Sequence, residues 1–180
     1  GYRSLATNTT GAGATAVGRD SLYSNTTGTF NTAVGKYALW ANTTANSNTA
    51  VGYDSLGANV TGTQNVAMGH NSMLANTGSY NTSIGFESLK ANVGGANNVA
   101  VGVNAMLSNT TGHSNVAVGA NALDVNISGN YNLAVGKDSL GGNTTGGGNI
   151  SVGASTLLTN TTGGDNVAMG NDALRANTTA

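Results

Sequence analysis

The stretch NTAVGKYALWANTT, residues 31–44, returns as NTAVGYDSLGANVT at 48–61, NVAMGHNSMLANTG at 65–78, NVAVGVNAMLSNTT at 98–111 and NVAMGNDALRANTT at 166–179. The glycine after the Val, Ile or Met of each copy falls at positions 18, 35, 52, 69, 85, 102, 119, 136, 153 and 170, a spacing of 17 residues broken once by a step of 16. That step lies between Gly69 and Gly85, where NTTG shortens to NTG at 76–78. Gly1 fits the same phase, so residues 1–180 read as a single array of ten full repeats and a partial one, with no capping segment. Beginning at Gly1, the chain reads as a segment of a longer protein.

Counting from each glycine, the fourth residue is Leu or Met: Leu22, Leu39, Leu56, Met73, Leu89, Met106, Leu123, Leu140 and Leu157, with Leu5 and Leu174 in the outermost copies. The seventh is always Asn: Asn8, Asn25, Asn42, Asn59, Asn76, Asn92, Asn109, Asn126, Asn143, Asn160 and Asn177. The thirteenth is Asn again, at Asn31, Asn48, Asn65, Asn81, Asn98, Asn115, Asn132, Asn149 and Asn166, Ala14 being the exception. A branched, small, branched alternation follows, and its period of two is a strand signal. The Asn and Gly of NTTG are turn residues. Helix is disfavoured by the glycines and β-branched residues in every copy.

A repeat this short cannot bury its own apolar residues, but stacked on identical neighbours it can. The expected fold is all-β: a parallel β-solenoid with one coil per 17 residues and like residues in vertical columns. At roughly 4.8 Å per coil the rod would be on the order of 50 Å long. Each Asn column would form an amide ladder from coil to coil. The expected core is the Leu and Met column together with Val34, Val51, Met68, Ile84, Val101, Val118, Val135 and Val152. Columns of small residues, among them Ala16, Ala33, Ala50, Ala67, Ala100 and Ala117, must pack closely against something, either the opposite wall of the same coil or another chain. With about two large residues per coil the core is thin, and association as a parallel homotrimer, or end to end as a filament, would compensate.

Composition narrows the function. Charged residues are 7% of the 180, the net charge is −1, and Pro and Cys are absent. Scattered Lys and Arg leave no basic footprint for nucleic acid, and no apolar run is long enough for a membrane helix. Without cysteine there is no disulfide framework and no thiolate metal site.

The core N-[ST]-x-A-[VI]-G followed by x-x-[AS]-L, as in NTAVGKYALWANTT, resembles the head repeats of trimeric autotransporter adhesins and the repeats of phage tail-fibre and related surface-fibre proteins. The resemblance extends over the whole chain. It implies a left-handed parallel β-roll, three chains side by side, and a place in an extracellular, cell-surface or virion fibre that attaches to a surface. The coil is longer than in the adhesin heads, mainly through the NTTG turn.

No catalytic constellation is visible. His70 and His113 occupy different columns, and the acids Asp20, Asp54, Glu87, Asp138 and Asp172 share one column that Tyr37, Asn71, Asn104, Asn121 and Ser155 interrupt. That column reads as a solvated edge, and no metal, cofactor or enzymatic activity is expected. NTT at Asn25, Asn109 and Asn160 also spells a glycosylation sequon, read here as a turn. The fifth column varies freely, and there Tyr23 and Trp40, one coil apart, form the candidate ligand-contact surface for a cell-surface or carbohydrate receptor. A competing function is ice binding, motivated by the adjacent threonines Thr26/Thr27, Thr43/Thr44, Thr110/Thr111, Thr144/Thr145 and Thr161/Thr162. Against it, adjacent residues of a strand point to opposite faces, and Val60, Val93 and Ile127 in the first threonine column suggest an inward site.

Overall fold

The structure, a computed structural model, describes residues 1–179. Ten strands of three residues follow one another: β1 (Thr15–Val17), β2 (Thr32–Val34), β3 (Thr49–Val51), β4 (Val66–Met68), β5 (Thr82–Ile84), β6 (Val99–Val101), β7 (Val116–Val118), β8 (Leu133–Val135), β9 (Ile150–Val152) and β10 (Val167–Met169). They form one parallel sheet in sequence order, and among the described residues there is no helix. This is a β-solenoid with one coil per repeat. The short coil keeps register: Val66, Ala67 and Met68 of β4 pair with Thr82, Ser83 and Ile84 of β5. The missing residue is absorbed at Asn76–Gly78, where Asn76 Nδ2 reaches the Gly78 carbonyl two residues on at 2.8 Å. In the other coils the corresponding bond spans three residues, as from Asn92 to Gly95.

The alternation along each strand places the small residue inside and the branched residues outside. Ala33, Ala50, Ala67, Ala100, Ala117 and Ala134 are fully buried. Val34, Val51, Met68, Ile84, Val101, Val118, Val135 and Val152, expected in the core, are half-buried or exposed, with Met68 at 42% and Ile84 at 40%. The reason is the width of the coil. The opposite wall contributes a fully buried Leu or Met from every inner coil, from Leu22 to Leu157. The lumen left across from it has room only for a methyl or a hydroxymethyl group. The alanines therefore pack within their own coil and offer no surface to a neighbouring chain. Where a hydroxyl replaces the methyl it arrives with a partner: Ser72 Oγ donates to Ser83 Oγ at 2.8 Å, and Ser151 Oγ lies 2.7 Å from Ser139 Oγ. No buried side-chain polar atom among the described residues lacks a partner.

The wall opposite the strands has an unusual backbone. Thirty non-glycine residues have φ between 48° and 63°, in two columns on that wall, typified by Asp54 and Leu56, and a third, typified by Gln64, two residues before each strand. A left-handed residue costs about 1–2 kcal/mol, most for β-branched side chains. None of the thirty is Val, Ile or Thr, in a chain otherwise rich in them. Bonds between coils hold this wall in both directions: Leu39 N–H donates forward to the Ser55 carbonyl and Asp54 N–H back to the Lys36 carbonyl, each at 3.0 Å. The repeat glycines stack directly on one another. Gly102, at φ 137°, would bring an added Cβ to 2.5 Å from the Gly119 carbonyl oxygen, so only glycine fits.

The two Asn columns lie inside and use their amides differently. In the seventh column, amide bonds amide along the rod: Asn42 Nδ2 donates to Asn25 Oδ1 at 2.8 Å and Asn109 Nδ2 to Asn92 Oδ1 at 2.7 Å. In the thirteenth, Oδ1 accepts the backbone N–H of the next coil, as Asn98 Oδ1 does from Asn115 at 3.0 Å, while Nδ2 donates to a buried carbonyl, as Asn98 Nδ2 does to Gly112 at 2.9 Å. Both columns converge on the buried glycine of the turn, whose carbonyl also receives Asn109 Nδ2 at 3.0 Å. Ala45 alone puts a methyl in that glycine column in an inner coil, and the Asn59–Asn42 amide bond beside it stretches to 3.5 Å.

Both threonine columns reach solvent. Val60 (41%), Val93 (52%) and Ile127 (48%) are exposed, contrary to the inward position expected for the first of these columns. The bend there turns both residues out, and the hydroxyls of Thr26, Thr110 and Thr144 donate to carbonyls of the next coil at 3.0–3.1 Å.

Candidate binding surface

Three of the columns that vary among copies, the first, second and fifth residues after each glycine, line one corner of the coil. The left-handed second residue turns the chain there, which explains why Asp and Asn, tolerant of that conformation, recur in it. It is not uniformly a solvated edge. Asp20 is fully buried, between Arg3 (Nε–Oδ1 2.8 Å) and Arg19 (Nε–Oδ2 3.1 Å). The Arg3 hydrogen bond, with help from Arg19, holds its carboxyl below the ordinary range against the opposing effect of burial. Glu87 is likewise lowered, by hydrogen bonds from Lys90 at 2.7 Å and from Asn71. Asp54 and Asp124 have no ion-pair partner among the described residues, and burial pushes both upward.

Tyr23 and Trp40 stack with centroids 6.4 Å apart and planes 9° from parallel. Trp40 is 44% exposed. Arg3 covers Tyr23 from the preceding coil, 5.1 Å from its ring centre. A second aromatic file, not singled out by the sequence pattern, runs along the first column: Tyr53 on His70 at 5.0 Å and His70 on Phe86 at 5.4 Å, both nearly parallel, with Tyr37 edge-on to Tyr53 at 6.0 Å. The signal available in the sequence was the spacing of 17 and 16 residues between these rings. Among the described residues, the ring that His113 meets is Tyr131, edge-on at 5.2 Å.

Two grooves follow this corner. One, of about 340 Å³, is lined by Arg3, Tyr37, Trp40 and Asp54. The other, of about 460 Å³, is lined by Leu74, Leu107, Glu87 and Lys90 over a floor of Ala75, Ala91 and Ser108. Eight of the nine aromatic residues precede position 87, so the two halves of the rod present different surfaces on one frame. Among the described residues no three His, Cys, Asp or Glu side chains gather as metal ligands, and no helix is long and apolar enough to cross a membrane. The sequon residues Asn25, Asn109 and Asn160 are buried, with Nδ2 already hydrogen-bonded. Compared with known proteins, the chain matches no family model, no curated protein and no solved structure.

Proposed function

We propose that the chain is a structural and adhesive segment of an extracellular or virion fibre, built from rods that associate side by side as a homotrimer. The observation that carries this reading is the outer face of the sheet. It carries Val17 (56%), Met68 (42%), Ile84 (40%) and Val118 (38%) in one unbroken column of Val, Ile and Met, beside a second column that Ile150 (38%) and Val167 (67%) share with Thr15, Thr32, Thr49 and Thr82. A contiguous apolar face of that extent is a mark of an interaction surface, and columns of one repeat length suit a second copy of the same chain. The resemblance of the repeat to surface-fibre repeats points the same way. The reading includes no enzymatic activity.

The ice-binding alternative keeps one supporting observation, the exposure of both threonine columns. It is weakened by the hydroxyls of the first column, which are committed to carbonyls of the next coil, and by the Val and Ile that interrupt it. Sedimentation at low micromolar concentration separates the two. The fibre reading requires a species of about three times the 17.7 kDa chain mass, or a longer polymer, and no thermal hysteresis. A 17.7 kDa monomer with thermal hysteresis would replace it.

A further inference from the structure

The groove beside Trp40 differs from the rest of the corner in three respects. First, the fifth column steps from Trp40 to Gly57. Tyr23 covers one face of the indole; on the other side the column supplies no side chain of its own, and the Asp54 carboxylate takes that place, where a Cβ on Gly57 would collide with it. Leu74, Lys90 and Leu107 fill that column in later coils. Second, the groove holds uncommitted polar groups. Asp54 is half-buried without an ion-pair partner, and the Tyr37 hydroxyl makes no hydrogen bond to any described residue. Third, its charges are held apart. Asp54 stands at one end and Arg3 at the other, three coil steps or roughly 14 Å away, and Arg3 is already paired with Asp20.

We propose that the groove lined by Arg3, Tyr37, Trp40 and Asp54 binds a neutral oligosaccharide, one pyranose ring lying on the exposed indole of Trp40 beside the Asp54 carboxylate and its hydroxyls bonding Asp54 and Tyr37. An indole face is apolar and flat, and matches the C–H face of a pyranose. A carboxylate accepts hydroxyl protons in charge-assisted bonds, stronger than neutral ones. A cationic ligand would also be drawn to an indole beside a carboxylate, but Lys36 sits 4.8 Å from the Tyr37 ring centre and Arg3 and Arg19 flank the site, so the corner does not favour added positive charge. An anionic sugar would meet Asp54. The groove volume of about 340 Å³ lies at the lower end of the range for small-molecule sites, enough for one ring held and its neighbours running along the rod. The inference rests on the attachment half of the proposed function and gives it a ligand class.

Trp40 is the only tryptophan of the chain, so its fluorescence reports on this site alone. The intact chain would be titrated with maltotriose, cellotriose and chitotriose, and in parallel with tetramethylammonium and sialyllactose. A saturable change is expected with at least one neutral trisaccharide. The affinity should weaken about tenfold or more in Gly57→Leu, whose side chain must displace the Asp54 carboxylate and cover the indole. Calorimetry on Trp40→Ala should show the same loss, and Asp54→Asn a smaller one. Circular dichroism confirms that each variant keeps its β-signal. No saturable response to any neutral trisaccharide overturns the proposal, as does a response that survives in Gly57→Leu, or one stronger with tetramethylammonium or sialyllactose. Oligomeric mass is measured separately, so sugar binding can fail while the fibre assembly stands, and the reverse.

Discussion

The two walls of each coil solve opposite problems. The strand wall is extended and regular, yet it buries only Ala or Ser and displays Val, Thr, Ile and Met. The wall across from it is made of left-handed turns, yet it supplies the one large apolar residue of the interior. Fully burying a Leu is worth about 1.5–3 kcal/mol, comparable to the cost of the left-handed residues that aim it inward. What makes the coil tenable is the stack: inter-coil backbone bonds and two Asn ladders join copy to copy, and no buried side-chain polar atom among the described residues lacks a partner. The interior therefore fixes the repeat, whereas the outside of the strands is free to be apolar and becomes the surface that needs a partner.

The same substitution on each wall tests this division most severely. Leu89 is fully buried and Ile84, five residues earlier, is 40% exposed. Leu89→Asp buries an unpaired carboxylate among stacked leucines and should cost about 4 kcal/mol or more, seen as collapse of the β-signal or a large drop in melting temperature. Ile84→Asp should cost the coil only about 1 kcal/mol. Its effect belongs to assembly: the sedimenting species should fall toward the 17.7 kDa chain mass while the β-signal persists. If both variants melt alike, the two walls are not distinct. If Ile84→Asp sediments like the parent, the outer face is not the contact between rods.

A smaller contrast separates the ladder from the turn next to it. Asn98→Ala removes the acceptor of the buried Asn115 N–H and a donor to Gly112. A buried group left unpaired costs about 1–3 kcal/mol, and the cavity adds to it. Thr111→Ala, on the exposed side of the turn, should stay within about 0.5 kcal/mol of the parent. Denaturant midpoints of the two variants measure the difference, and equal shifts would show that the ladder contributes no more than the solvated turn.

Much of this was legible in the sequence because every column repeats. The 17-residue coil, the buried Leu file and the placement of the deletion in the NTG turn follow from phase alone. The inward side of the strand did not, because both parities of N-[TV]-A-V-G are apolar and hydrophobicity could not choose. Size could have. The middle residue is Ala or Ser in every strand, while its neighbours range over Thr, Val, Leu, Ile and Met. Uniform smallness marks a confined interior and free variation in volume an outside. The left-handed columns left a trace of the same kind, in the absence of any β-branched residue from three positions in all copies. The aromatic corner was only half legible. Tyr23 and Trp40 share a column that draws the eye, whereas the Tyr53–His70–Phe86 file crosses the 16-residue step and mixes His with aromatic rings.

The finest distinction lies between two carboxylates of one column. Asp20 is held below the usual range, first by the Arg3 hydrogen bond, and Asp54 above it by burial. An acid lowered on folding contributes stability that is present above its unfolded value and lost as pH falls through the folded one. An acid raised on folding does the reverse: its contribution is complete below the unfolded value and disappears as pH rises through the folded one. At neutral pH Asp20 therefore supports the fold and Asp54 opposes it. Asp54→Asn should raise the melting temperature slightly at pH 7 and leave it unchanged at pH 3, where the native carboxyl is already neutral. Asp20→Asn should lower it at pH 7, and the deficit should shrink as the pH is taken below the ordinary carboxylate range. Thermal melts of the parent and both variants between pH 3 and 7 give the two slopes. Slopes of equal sign would show that the column acts as one solvated edge after all, and that the burial separating its members has no energetic consequence.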